Sequence, residues 1–103
     1  MSDPKTKYAK LMPMMDGPLK NLSHLMTYTD NGDFLLSVEL VIGELAELAA
    51  ACIKCGYYPT AMEIGSLLVN MRNPEDEILE IADTIICELQ EIGHCASTGR
   101  HYG

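Results

Sequence analysis

Between Phe34 and about Cys55 the apolar positions recur at alternating steps of four and three: Val38, Val41, Leu45, Leu48 and Cys52. At 100° per residue these form one stripe of an α-helix. Ile42, Ala49 and Ile53 widen it on one side, and Leu40 and Ala51 on the other. The pattern predicts a helix buried on more than one face, and Gly56 suits its C-terminus. A second broad arc contains Ile78, Leu79, Ile81, Ala82, Ile85, Ile86, Leu89 and Ile92. It opens on Asn73-Pro74-Glu75-Asp76: a capping Asn, a Pro at the first helical position and acids in the first turn. The prediction is a helix from Pro74 to about Ile92, ended by Gly93.

Two weaker patterns lie between and before these. Thr60 to about Asn70 reads as a helix, interrupted only by Gly65, and Leu19 to about Tyr28 as a short one with Leu22, Leu25 and Met26 on one side. Thr29-Asp30-Asn31-Gly32-Asp33 reads as a turn in which Asn-Gly supplies positive φ and Asp33 caps the next helix. Residues 1–18 hold Pro4, Pro13, Gly17 and Pro18 among scattered methionines. They read as an arm packed on the body, residues 19–103, or on a partner. Alternating runs of β-branched residues are absent, so the expected class is all-α: a small antiparallel helical bundle of at most four helices.

Size and composition narrow the function. A chain of 103 residues makes one domain, and its core is thin enough that a second subunit would help. One Phe, five Tyr and no Trp make base stacking an improbable main task. Fifteen acidic against seven basic side chains leave a net charge of −8, which disfavours direct binding to a nucleic-acid backbone. Four of the seven basic residues, Lys5, Lys7, Lys10 and Lys20, lie in the first twenty positions. The acidity therefore belongs to the body, where it serves solubility or cation binding. The apolar stretch Leu11 to Met15 is too short for a signal-peptide core. The longest apolar run, Leu48–Ile53, is too short to cross a membrane. The expectation is a cytoplasmic protein with reduced thiols.

Some of the body's carboxylates are patterned. The first long helix carries Glu44-Leu45-Ala46-Glu47 and the last carries Glu80-Ile81-Ala82-Asp83. Each is acid, Leu or Ile, Ala, acid, and acids three apart project from one side of a helix. Two such helices packed antiparallel can place four carboxylates around one volume. All-oxygen donors of that kind suit Mg²⁺, which keeps positions open for water and substrate phosphates. Glu44 falls inside the apolar arc of its helix, where a carboxylate must be paired, protonated or metal-bound. Glu47 lies just outside that arc. Glu80 and Asp83 fall opposite the isoleucine stripe of theirs, where a solvated acidic face is an equal reading.

The stretch Ile42-Gly43-Glu44-Leu45-Ala46-Glu47-Leu48, with Glu80-Ile81-Ala82-Asp83 on an isoleucine-rich helix, resembles the all-α nucleoside triphosphate pyrophosphohydrolases of the MazG-like kind. The resemblance covers residues 34–92. It implies a helical bundle assembled as a dimer or tetramer, and Mg²⁺ held by Glu44, Glu47, Glu80 and Asp83. It also implies hydrolysis of a nucleoside triphosphate to the monophosphate and pyrophosphate. Many relatives carry a Glu three residues before the Glu of the Gly-Glu-Leu-Ala-Glu string; here Val41 stands there. Metal-assisted hydrolysis needs a proton acceptor for the attacking water, a role given to Glu47. Lys54 and Arg72 are candidate phosphate contacts, although solvated surface positions are the commoner role of such side chains. The alternative is a non-catalytic helical dimerisation or binding module that kept the fold and lost part of the site. Cys52-Ile53-Lys54-Cys55, with Cys87, Cys95, His94 and His101, offers zinc or redox chemistry as a lesser reading. No Gly-rich phosphate loop is present.

Overall fold

The computed structural model describes residues 3–29 and 34–99. They form four helices: α1 Pro4–Thr29, α2 Phe34–Lys54, α3 Tyr58–Val69 and α4 Pro74–Ser97. No strand occurs among the described residues. The expected turn residues 30–33, with the cap assigned to Asp33, lie outside them, as do Arg100 and His101.

The expected stripe of α2 is the centre of the core. Val38, Val41, Leu45, Leu48, Ala51 and Cys52 are buried, while Leu40 and Ile53 at its margins are about half exposed. This helix packs against all three others, which explains its broad apolar circumference. Its C-terminus is a Schellman motif: Tyr57 N–H donates to the Cys52 carbonyl at 2.8 Å, and Gly56 N–H to that of Ile53 at 3.2 Å. Gly56 has φ +84°, the left-handed conformation this motif requires. Tyr57 closes it, buried, with the Lys7 ammonium 4.6 Å from its ring centroid.

The segment read as an arm is helical. It joins the expected short helix in one element that runs through Pro13 and Pro18. Its apolar positions explain why. Leu11, Met15 and Leu22 are buried, and Tyr8, Leu19, Leu25 and Met26 pack partly buried against the core. An interior proline costs about 3 kcal/mol relative to alanine. Full burial of a side chain such as Leu or Met offsets about 1.5–3 kcal/mol, so this stripe outweighs two prolines.

Helix α4 also exceeds its expected end. Gly93 does not terminate it; the helix continues to Ser97. A side-chain carbon at Gly93 would stand 2.8 Å from the Tyr8 hydroxyl. This glycine serves the close approach of α1. Asn73 occupies the expected N-cap position without a side-chain cap bond. Its carbonyl accepts from the N–H groups of Asp76 and Glu77, and its amide donates to the Asp76 carboxylate at 2.6 Å.

Helix directions follow from the contacts. Along α1, Lys7, Met14 and Asn21 meet Tyr57, Cys55 and Glu44 in turn, so α2 runs against α1. Tyr8 meets Gly93, and Met26 lies beside Leu79, so α4 also runs against α1. Helices α2 and α4 therefore run in the same direction, with α3 returning the chain between them. The antiparallel packing expected for the two acidic motifs does not occur.

Candidate functional site

Glu44 meets Asn21, while Glu80 and Asp83 share a depression with Met26 and Thr27, so both acidic motifs reach the second half of α1. Glu44 projects from α2 towards α1 and is half-buried, as its wheel position predicts. Asn21 donates to its Oε1 at 3.3 Å. Its Oε2 is buried and has no hydrogen-bond partner. A carboxylate oxygen removed from water without a partner is costly. This atom is therefore the strongest chemical signal in the molecule. Glu47, one turn on, is exposed.

On α4, Glu80 and Asp83 are exposed and share a depression of about 440 Å³ with Met26, Thr27 and Leu79. Glu80 also borders a second groove of about 280 Å³, with Leu67 and Asn70 of α3 and Glu77, Ile81 and Thr84. It thus stands on the ridge between two openings. Neither depression is lined by Glu44 or Glu47. Among the described residues no three His, Cys, Asp or Glu side chains converge as a ready-made metal cage. The four expected ligands occur as two separate pairs, one on α2 and one on α4.

The candidate phosphate contacts separate. Arg72 precedes α4, and its N–H donates to Glu77 Oε2 at 3.1 Å. Lys54 is the last residue of α2. Ten residues beyond Glu44, it lies about 15 Å further along the axis, at the opposite end with Lys7 and Tyr57. It lines neither of the depressions that Glu80 borders.

Asn21, Met26 and Thr27 are the site residues that sequence reasoning missed. Leu22, Leu25 and Met26 marked this stretch as helical, and Asn21 is the polar residue beside that stripe. Its pairing with Glu44 depends on the direction of α2.

Among the described residues the thiols join no group of three metal-ligating side chains. All four are free, with Cys52 and Cys95 buried and Cys87 exposed. Burial first, then the charges of Cys55 and Glu88, push the Cys52 thiol up to about 11, so the unligated side chain is a protonated thiol at neutral pH. Cys55 directs its thiol to Met14 Sδ at 3.6 Å. A cavity of about 730 Å³ lies between the first half of α1 and residues 93–97 of α4.

Comparison with protein-family models, curated proteins and solved structures finds no match to this chain.

Proposed function

We propose that this chain is a Mg²⁺-dependent nucleoside triphosphate pyrophosphohydrolase acting as a homo-oligomer. The buried, unpartnered Oε2 of Glu44 is the observation that carries the reading. The Glu80 and Asp83 pair supports it, because these residues line a depression open to solvent. Mg²⁺ is characteristically held by one or two carboxylates plus substrate phosphates, with water completing its shell. Two carboxylates at an open wall suit that habit; a closed cage is unnecessary. The donors are all oxygen, as a hard cation requires.

On this reading Glu80 and Asp83 would hold the ion at their open depression, and Glu44, which does not line it, is the further ligand that the sequence pattern assigns, its other oxygen held by Asn21. When bound, Mg²⁺ supplies neutralisation of the triphosphate charge and a more acidic water. Glu47 is the acceptor for the proton of the water that attacks phosphorus. Arg72, just before α4, is the phosphate contact on this reading. A second reading is a binding module that retains the bundle without turnover. Val41 favours it: this position, a Glu in many relatives of the family resembled, is here fully buried apolar core.

The experiment is pyrophosphate release from a panel of ribo- and deoxyribonucleoside triphosphates with millimolar Mg²⁺, alongside thermal melting with and without the ion. The proposal expects release from at least one nucleotide, its loss in Asp83→Ala with an unchanged helical spectrum, and a Mg²⁺-dependent rise in Tm. Silence across the panel with a Mg²⁺-dependent Tm rise selects the binding module. Silence in both removes the site.

A further inference from the structure

The short helix α3 has two apolar faces. One belongs to the core, with Thr60, Ala61 and Ile64 buried. The other faces solvent: Tyr58 is 59% exposed, Met62 74% and Val69 83%. With Gly65 these residues follow steps of four, three and four, and fall within about 60° of each other at 100° per residue. Gly65 lies open, with nothing within 4 Å of a side chain placed there. The helix carries one charge, Glu63, on the flank away from the stripe. A helix that is apolar on both faces is ordinarily covered on both.

The surrounding charge identifies what covers it. Residues 21–103 carry thirteen acidic and three basic side chains, so two copies of this chain repel each other over most of their surfaces. The stripe is a face without acids. It offers no counter-charge to a nucleic acid or to a basic peptide. Its spacing is also self-complementary. A two-fold axis at Gly65 lets two α3 helices cross antiparallel at their closest backbone approach. Met62 of each copy then meets Val69 of the other, as an isologous contact requires. We propose that the outer face of α3 is the surface through which two copies of this chain pair.

The size of the stripe sets the strength expected. Three side chains this exposed offer roughly 400 Å² per chain, within the range of the largest apolar patch of a typical monomer. Two copies bury roughly 800 Å² through the stripe alone, below a standard interface. The pairing is therefore weak and concentration-dependent. It does not rest on the nucleotide reading, and its test needs no turnover.

Sedimentation equilibrium of the full chain between about 10 μM and 1 mM, a span set for weak pairing, tests it. The parent is expected to move from 11.3 kDa towards twice that mass. Val69→Glu places an acid on the stripe and is expected to hold the chain monomeric throughout. Gly65→Leu fits the open space of one copy and favours helix, so its Tm is expected to match or exceed the parent's when both are melted as monomers. The same side chain obstructs the crossing and is expected to abolish pairing, which separates loss of pairing from loss of fold. Leu40→Glu, at an exposed apolar position on α2, is expected to leave pairing intact. A parent monomeric over the whole range overturns the proposal, as does a dimer indifferent to both α3 substitutions.

Discussion

At the scale of single residues, position on a helical wheel carried more than residue type. Glu44 and Glu47 differ by one turn, and the wheel separated them correctly into half-buried and exposed. It could not show that Asn21 takes one Glu44 oxygen and leaves the other bare, since that depends on a helix 23 residues earlier. A second carboxyl pair gave no signal in the sequence. Glu63 of α3 shares a hydrogen bond with Glu88 of α4, and that bond, burial and the Glu88 charge raise its pKa in that order. The protonated form is thus favoured in the folded chain. Its contribution is fully present below the ordinary glutamate pKa and is lost as pH rises through the higher folded value. Glu63→Gln keeps a hydrogen-bond donor and removes the charge. Melting temperatures across the acid range to neutrality should show the parent losing this contribution as pH rises while the variant keeps it. A variant with the parent's pH profile would show that the pair does not couple to folding.

Among elements, the strongly periodic ones were legible and the punctuated ones were not. The α2 stripe and the Asn-Pro-acid start of α4 are local patterns, and both stand where expected. Pro13, Pro18 and Gly93 are local patterns too, but distant packing overrides them. Leu11, Met15 and Leu22 bury enough surface to carry α1 through its prolines. Gly93 answers to Tyr8, 85 positions away in the chain. The glycines now divide by surroundings. Gly43, inside α2, has nothing within 4 Å of an added carbon and is not followed by proline. Gly43→Ala should stabilise the chain by about 0.5–1 kcal/mol through helix propensity and unfolded-state entropy. Gly93→Ala gains the same propensity but drives a carbon to 2.8 Å from Tyr8 Oη, and such overpacking costs about 1–3 kcal/mol. Its net effect should be destabilising, and smaller in a Tyr8→Phe background, which removes the nearest atom. Chemical denaturation of the parent, the two alanine variants, Tyr8→Phe and the Tyr8→Phe/Gly93→Ala double variant measures this. Equal stabilisation by both alanines would mean that Tyr8 yields without cost.

Across the whole molecule the charge is unevenly distributed. Lys5, Lys7 and Lys10 of α1 share one end with Lys54 of α2. Glu39, Glu44 and Glu47 stand on the first two-thirds of α2, and Glu75, Asp76, Glu77, Glu80 and Asp83 on the first half of α4. Parallel running of α2 and α4 brings Glu44, Glu80 and Asp83 beside the stretch of α1 beyond Lys20, which has no lysine or arginine. The first-turn acids of α4 have a structural role at the positive end of the helix dipole. Glu44, Glu47, Glu80 and Asp83 do not. This placement was illegible because helix direction decides it: α3 turns the chain once more, and the second acidic motif returns to the stretch of α1 that the first meets. Repulsion among these acids destabilises the fold, and any salt should relieve it by screening within about 10 Å at 0.1 M ionic strength. Site binding adds a separate contribution, about 2.7 kcal/mol when free Mg²⁺ is a hundred times its Kd. MgCl₂ and NaCl at matched ionic strength distinguish the two. The parent should melt higher in MgCl₂ than in NaCl, whereas Asp83→Asn with Glu80→Gln should lose most of that difference and melt higher than the parent in dilute buffer. Coincident MgCl₂ and NaCl curves for the parent would reduce Glu80 and Asp83 to a charged surface and leave Glu44 Oε2 unexplained.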